Sequence, residues 1–323
     1  MRTRLTQMLG VKHPVMLAGM GGVSYHALVA AVSEAGGFGC LGASTMSPST
    51  MVDEMRKVRE LTVNPFGVDL LTALPGDLGT QVERIIEGGA SVFVAGLGVP
   101  TDVVELCHRH GVLVVNMCGR VDHARRAVDA GCDIVVAQGT EAGGHTGLVA
   151  TLPLVPQVVD AVGDRVPVVA AGGIADGRGL AAALALGADG VWVGTRFIAT
   201  PEARAVPGYK EALLVTAEDG TTVSRAYSGK TMRVIRNAYT AYYDEHGDEV
   251  ERFPAQLGRS ISENAFHLGG DDTTEVDPTR ECYPSGQGVG AIDELVPAHD
   301  LVLRFVTEAD SALARAVAVT AEF

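Results

Sequence analysis

The sequence is poor in aromatic residues and lacks any apolar run long enough to cross a bilayer. Phe, Trp and Tyr make up 5% of its 323 residues, a small share for a β-sandwich held together by large rings. Its apolar runs are broken by Gly, Asp or Pro before they reach the roughly 18 residues of a membrane helix. The N-terminal segment reaches Lys12 and Pro14 without the apolar core of a secretory signal. We therefore expect no membrane span and a cytoplasmic protein.

Positive charge and paired cysteines are also scarce. The formal net charge is −14, which opposes nucleic-acid binding because such binding relies on Lys and Arg displacing counterions. The cysteines are an odd number, with no CxxC pair and no Cys/His cluster of zinc-ligand form. We expect no nucleic-acid partner, no metal site, and cysteines that are reduced and mostly buried. They are Cys40, Cys107, Cys118, Cys132 and Cys282.

Glycine, in contrast, is abundant, with 40 residues that suit a chain of many tight turns. The first two thirds of the chain repeat one unit: a short apolar run, a Gly or polar turn, and a helical segment closed by Gly. The runs start about 20 to 35 residues apart, which is the length of one strand, one crossover helix and two loops. They predict strands at residues 14–18, 38–41, 66–70, 91–95, 113–116, 133–137, 167–170 and 190–194.

These runs are continuously apolar, as is typical of parallel strands that are buried on both faces. Helices are predicted between them, for example at residues 25–35, 121–130 and 177–186. We therefore predict an α/β fold, a (β/α)8 TIM barrel. An open doubly wound sheet is the alternative, but consecutive units without an early GxGxxG turn favour barrel closure.

The composition changes after the eighth predicted strand. From about residue 207 to 290 it becomes charged and polar, which predicts a helical insertion, or lid, over the barrel mouth, with a helix at 234–243. Helical spacing returns at 295–319, where we expect the last outer helix. The predicted domains are thus a barrel of residues 1–206 completed by 291–323, and a lid of residues 207–290. Residues 225–243, with Arg225, Lys230, Arg233 and Arg236, are interpreted either as a basic lid that faces an anionic substrate such as a CoA phosphate, or as a solvated helix face.

Loops after the seventh and eighth strands commonly bind phosphate in barrels, because glycine lets backbone N–H groups approach an anion. Here the two loops contain Gly172 and Gly173, then Gly194 and Thr195, whose hydroxyl can also donate. We predict a phosphate site at these four residues. The alternative is that the glycines only form tight turns.

The loop after the sixth strand holds one histidine among glycines. Gln138 lies at the strand end, and Gly143 and Gly144 precede His145. Bare backbone can lie against a flat ring while the imidazole points into the mouth, where it can transfer a proton near neutral pH. A solvated, idle loop histidine is the alternative.

Two further strand ends point to the same mouth. The first strand ends in Ala18, Gly19 and Met20, where glycine permits close approach to a ligand and Met20 either contacts that ligand or packs in the core. The third strand ends in Asp69, which either accepts a hydrogen bond from a ring N–H or stabilises a turn.

Together these stretches resemble the nitronate monooxygenase family, once called 2-nitropropane dioxygenases, and the related FMN-dependent enoyl-acyl-carrier-protein reductases. The resemblance covers about residues 1–200, and residues 138–147, Gln-Gly-Thr-Glu-Ala-Gly-Gly-His-Thr-Gly, are its most specific motif. The other matching stretches are Pro-Val-Met-Leu-Ala-Gly-Met from Pro14, Ala-Gly-Gly-Phe-Gly from Ala35, Pro-Phe-Gly-Val-Asp-Leu from Pro65, Ala-Ala-Gly-Gly-Ile from Ala170 and Val-Gly-Thr-Arg-Phe from Val193.

The resemblance implies FMN as cofactor. It implies that Gln138 contacts the flavin ring, that Gly143 and Gly144 lie against it, and that the four residues of the phosphate loops hold its phosphate. His145 matches the family's active-site histidine. One position departs from the family: Asp69 stands where the family usually has Asn, so a flavin contact could carry a charge there.

The expected activity is oxidation of alkyl nitronates with O2, in which His145 orients the anion or takes a proton from the neutral nitroalkane. The first alternative is an NAD(P)H-dependent FMN reductase of enoyl thioesters or quinones. The second is a barrel that binds flavin or phosphate without turnover. A metal-dependent hydrolase is disfavoured because no two histidines lie at adjacent strand ends. The substrate, the electron donor and assembly into a homo-oligomer stay open.

Overall fold

The described part of the chain forms a barrel of parallel strands. In the computed structural model, which describes residues 1–72, 77–96, 98 and 100–321, eight strands pair in the order β1-β9-β8-β6-β5-β4-β3-β2. The strands in chain order are β1 (Val15–Leu17), β2 (Gly39–Gly42), β3 (Phe66–Leu71), β4 (Val92–Gly96), β5 (Leu113–Cys118), β6 (Ile134–Gln138), β7 (Gly144–His145), β8 (Val168–Ala171), β9 (Gly190–Val193), β10 (Thr221–Ser224) and β11 (Met232–Ile235).

The first and last strands of this order meet and close the ring. Met16 bridges Phe38 in parallel register, and Phe38 both donates from its N–H to Val15 O and accepts from Leu17 N–H, each at 2.9 Å. Side chains such as Met16, Phe38 and Trp192 fill one buried cluster, and a second lies between the strands and the helices. The predicted TIM barrel is therefore confirmed, and its eight strands begin and end within two residues of the predicted positions.

Helices lie around the barrel and in the segment that follows its last strand. They are α1 (Arg4–Leu9), α2 (His26–Glu34), α3 (Pro48–Leu61), α4 (Leu78–Glu87), α5 (Thr101–Arg109), α6 (Val121–Asp129), α7 (Thr151–Val162), α8 (Gly177–Ala185), α9 (Thr195–Ile198), α10 (Tyr209–Val215), α11 (Ala238–Glu245), α12 (Ala255–Ser262) and α13 (Ala298–Ala321). Helix α13 packs against α8 and α2, so it fills the last outer position that the sequence predicted.

The segment between α9 and α13 is mixed. It contains the helices α10, α11 and α12, and also the antiparallel strands β10 and β11, which the sequence analysis did not predict. The predicted helix at 234–243 was wrong in its first part, because Met232–Ile235 is a strand that pairs with β10 on one side and β7 on the other. The helix begins only after Asn237, whose side chain accepts hydrogen bonds from the N–H groups of Tyr239 and Thr240.

The cysteines and the long helices bear on two expectations from composition. All five cysteines are free and buried, as predicted. Among the described residues, no helix combines the length and apolar composition needed to span a bilayer.

The contact between α8 and α13 predicts one stability effect. A Cβ at Gly177 would lie 2.5 Å from the backbone nitrogen of Ala309, and closer still to the carbonyl oxygen of Phe305. We expect Gly177→Ala to lower the free energy of unfolding by about 1–3 kcal/mol, the usual cost of overpacking. Urea unfolding followed by circular dichroism measures this.

Gly258 of α12 provides the matched control, because a Cβ there would meet no heavy atom within 4 Å. Gly258→Ala should be neutral or stabilising by about 0.5–1 kcal/mol, since alanine is favoured over glycine inside helices. Equal effects of the two substitutions would contradict the proposed close approach of α13.

Candidate active site

A large cavity opens at the carboxyl ends of the barrel strands. Its volume is about 1290 Å³, above the roughly 300–1,000 Å³ typical of small-molecule sites. Every residue that the sequence assigned to the site lines it. These are Ala18, Gly19, Met20, Asp69, Gln138, Gly143, Gly144, His145, Gly172, Gly173, Gly194 and Thr195.

Close packing explains the glycines in the loop after β6. A Cβ at Gly139 would lie 2.5 Å from the Cα of Thr151, and one at Gly143 would lie 2.8 Å from the backbone nitrogen of Gly286. Gly144 has a φ of +72°, a left-handed conformation that disfavours residues with a Cβ. The loop can therefore adopt this path against the cavity only with glycine at these positions.

His145 is held at both its main chain and its ring. Gln138 Nε2 donates to the carbonyl oxygen of His145 at 2.8 Å, and His145 Nε2 lies 2.9 Å from Ser228 Oγ. Burial, with a smaller effect of the Lys230 charge, lowers the pKa of His145 below its ordinary value. The imidazole is therefore neutral at neutral pH and able to accept a proton or a hydrogen bond.

The hairpin β10–β11 fixes the same loop through main-chain pairing. Met232 pairs with His145 and Arg233 with Gly144. The guanidinium of Arg233 donates from Nε to Thr140 O at 2.9 Å, and from Nη1 to Thr221 Oγ1 at 3.1 Å. This side chain is buried, so its hydrogen bonds offset part of the cost of removing a cation from water.

The predicted phosphate loops expose bare backbone to the cavity. Gly172 and Gly173 have φ values of +105° and +72°, and a Cβ at Gly172 would lie 2.8 Å from Thr151 Oγ1. Thr195 Oγ1 accepts the N–H of Gly286 at 2.9 Å, which leaves the hydroxyl proton free to be donated. These features fit a phosphate ligand, and with the neighbouring glycines after β6 they fit FMN.

Asp69 lies at the floor of the cavity, reachable from it but otherwise enclosed by protein. This burial raises the pKa of its carboxyl group from the ordinary 3.8 to about 8. Gly19 packs directly against it, since a Cβ at Gly19 would lie 2.7 Å from Asp69 Oδ2. At neutral pH the carboxyl group is therefore mostly protonated, so the charge that the sequence analysis considered at this position is largely absent.

The cavity wall carries a positive balance although the whole chain is acidic. Among its described lining residues the acidic ones are Asp69, which is mostly protonated, and Glu281. The Lys and Arg side chains are Arg120, Arg126, Arg196, Arg225 and Lys230. Arg225 and Lys230 line the cavity and keep contact with solvent, Arg233 is buried in a strand, and Arg236 is exposed. The interpretation as a solvated helix face is therefore wrong for Arg233.

The contact of Ser228 with His145 was missed, and Arg233 was considered only as a cation of a basic lid and not as a support of the loop after β6. Both belong to a segment without strong local patterning, and their partners lie 83 and 93 residues away in sequence. A Ser-Gly-Lys turn followed by Met-Arg-Val-Ile is the local signal for a hairpin, but it does not tell which loop that hairpin meets.

Comparison with known proteins gives consistent matches. A family model described as nitronate monooxygenase matches residues 2–308. The chain is 42% identical to the (3aS,4S,5R,7aS)-5-hydroxy-7a-methyl-1-oxo-octahydro-1H-indene-4-carboxyl-CoA dehydrogenase of Rhodococcus jostii, over 96% of each chain.

Two solved structures are also similar over nearly their whole length. FabK from Thermotoga maritima is 34% identical over 99% of both chains, with a TM-score of 0.89. Nitroalkane oxidase from Streptomyces ansochromogenes is 31% identical over 96% of this chain and 99% of its own, with a TM-score of 0.82.

The raised pKa of Asp69 predicts a pH-dependent stability effect. The folded state keeps the Asp69 proton up to a pH of about 8, whereas the unfolded chain loses it near the ordinary 3.8. Stability is therefore lost as the pH rises between these values. In the ligand-free protein, Asp69→Asn should raise Tm by on the order of a few degrees at pH 8, and much less near pH 4.

Thermal unfolding at several pH values measures this difference. Asp160→Asn, at an exposed position of α7, is the control, and its effect should not vary with pH in this way. A Tm difference for Asp69→Asn that stays constant from pH 4 to 8 would contradict the assignment of a buried, protonated carboxyl group.

Proposed function

The chain belongs to the nitronate monooxygenase family, and from that premise we propose that it is an FMN-dependent oxidoreductase. The observation that carries the proposal is the convergence in one cavity of glycine-lined loops after β6, β8 and β9 with the neutral imidazole of His145. Enzyme sites of barrels lie at this end of the strands. The cytoplasmic location and the oligomeric state remain predictions.

Each group of residues in the cavity wall has a proposed role in binding the cofactor. Gly172, Gly173, Gly194 and Thr195 would hold the phosphate, with backbone N–H groups and the Thr195 hydroxyl as donors. Gly143 and Gly144 with Gln138 would border the ring on the side of β6, and Ala18, Gly19, Met20 and Asp69 would border it on the side of β1 and β3. When bound, FMN supplies the electron chemistry and the protein supplies orientation and local charge.

His145 would act on the substrate rather than on the cofactor phosphate. Its Nε2 contacts Ser228, so the orientation of the ring is fixed before any ligand binds. With a lowered pKa the ring can orient an anion by hydrogen bonding or take a proton from a neutral acid.

Nitronate oxidation is the first candidate reaction, supported by the description of the family model and by the similarity to nitroalkane oxidase. A nitronate is already an anion, so it needs little acid–base help beyond orientation by His145. O2 would then be the second substrate, and the products would be a carbonyl compound and nitrite.

Oxidation or reduction of a CoA thioester is the second candidate, favoured by the cavity wall. The volume exceeds what a small nitronate beside FMN requires, and Arg225 and Lys230 provide cations at the mouth for phosphate groups. The 42% identity to the Rhodococcus jostii protein named as an indene-4-carboxyl-CoA dehydrogenase supports this second candidate. Reduction of an enoyl thioester or a quinone by NAD(P)H belongs to the same class of candidate reactions.

Cofactor binding provides the first test of the proposal. The purified or reconstituted protein should be yellow and bind FMN, and Gly172→Ala should raise the Kd for FMN by on the order of tenfold or more, about 1.4 kcal/mol. The physical reason is the positive φ of Gly172 and its contact with Thr151 Oγ1. Gly258→Ala should leave the Kd unchanged, and a colourless protein that takes up no FMN would refute the proposal.

Anaerobic bleaching of the flavin separates the two candidate reactions. Rapid reduction by an alkyl nitronate but not by NADH or NADPH would support nitronate oxidation, and rapid reduction by a pyridine nucleotide or an acyl-CoA would support the thioester reaction. In either case His145→Asn should lower turnover of the substrate, by roughly 10²–10⁴-fold where His145 transfers a proton and by less where it only orients an anion. Full turnover by this variant with every substrate would exclude the assigned role.

A further inference from the structure

A second histidine lies on the wall of the same cavity and has a carboxylate of its own. His267 Nδ1 lies 2.6 Å from Glu281 Oε2, and the backbone N–H of His267 donates to Glu281 Oε1 at 3.1 Å. Both residues line the cavity. The proposed roles of His145 and the glycine loops do not use this pair.

The geometry assigns Glu281 the task of orienting the imidazole. The carboxylate side chain is 1% exposed, whereas that of His267 is 22% exposed. Burial raises the pKa of Glu281, so an unpaired carboxylate here would be costly. Both oxygens of Glu281 are hydrogen-bonded to His267, one to its backbone N–H and one to its ring. This arrangement holds the proton of the neutral imidazole on Nδ1 and leaves Nε2 for a ligand in the cavity.

The position of His267 follows from the loops on which its segment packs. The segment at residues 267–270 packs on the loops after β1 and β2: a Cβ at Gly22 would lie 3.2 Å from the nitrogen of Gly269, and one at Gly269 would lie 3.6 Å from Thr45 Oγ1. In the ring of eight strands, β2 is four positions from β6 in either direction. His145 follows β6, so a ligand at the mouth would lie between the two imidazoles.

The same hairpin turn supports both histidines. Ser228 Oγ contacts His145 Nε2, and the hydroxyl group of the adjacent Tyr227 donates to the carbonyl oxygens of Arg280 and Glu281 at 2.8 and 3.3 Å. Tyr227 is fully buried. One turn therefore contacts both the imidazole of His145 and the main chain of the residue that is paired with His267.

We propose that His267, oriented by Glu281, is a second proton-transfer group of this cavity, which acts through Nε2 on the substrate from the side opposite His145. The inference rests on the proposed function, because it needs a substrate bound between the two walls. As an acid, the imidazolium gives its Nε2 proton to a substrate atom and becomes a neutral ring that keeps its Nδ1 proton on Glu281. As a base, the bare Nε2 takes a proton from a substrate C–H, and solvent restores the starting state.

Substrates that differ in their need for a proton test this role. Nitroethane must lose a C–H proton and crotonyl-CoA must gain one on reduction, whereas ethyl nitronate needs neither. We expect His267→Asn to lower kcat/KM at least roughly 100-fold for nitroethane or for crotonyl-CoA with NADPH, whichever the enzyme turns over. The same substitution should remove one limb of the dependence of kcat/KM on pH. Turnover of ethyl nitronate should change little.

Three variants make the result specific. Glu281→Gln should give a smaller loss than His267→Asn and move the same limb of the pH profile, since it removes the charge but keeps an acceptor. His145→Asn should also lower turnover of ethyl nitronate, which separates the two histidines. His299→Asn, at an exposed position of α13, should match the unsubstituted protein. Wild-type kcat/KM for His267→Asn with all three substrates over pH 6–9 would overturn the inference and leave the proposed function intact.

Nitrogen-15 NMR of labelled histidine rings gives a readout without turnover. In the unsubstituted protein, the neutral ring of His267 should carry its proton on Nδ1 and show a bare Nε2, and in Glu281→Gln this preference should weaken. A neutral ring that carries its proton on Nε2 would overturn the inference even if no substrate is turned over. Absence of FMN or of any turnover would instead count against the proposed function.

Discussion

The pairing of β11 with β7 is the interaction on which the site depends. It joins only Met232 with His145 and Arg233 with Gly144, yet it connects the segment after the barrel to the loop that carries the imidazole. A two-residue strand has little stability of its own, because each ordered residue costs about 1–2 kcal/mol of backbone entropy. The loop after β6 therefore owes its conformation to a partner that lies almost 90 residues further along the chain.

The fold and the barrel-derived wall of the site could be predicted because their signals are local. Each strand is a short apolar run, and the residues just past it must reach the barrel mouth once the ring closes. For this reason residues as far apart as Ala18 and Thr195 were assigned to one site from sequence, and all twelve assigned residues line one cavity. Their individual roles toward a cofactor follow from the family resemblance and stay predictions.

What the sequence did not predict depends on long-range contacts. The last two residues of the strand Met232–Ile235 were interpreted as the start of a helix, because so short an apolar run fits either period. The pairing of this strand with β7 decides the outcome. The contacts of Ser228 and Arg233, and the pair formed by His267 and Glu281, join segments whose spacing carries no motif. The protonation of Asp69 likewise depends on burial, which the residue type alone does not reveal.

The same pairing of β7 with β11 limits how members of this family can be recombined. A chimera that exchanges residues 207–290 as a block would replace the partners of His145 and Thr140 along with the segment. The exchanged piece would then decide the orientation of the imidazole in the recipient barrel. Natural divergence faces the same restriction, so substitutions in this segment and in the loop after β6 should become fixed together rather than independently.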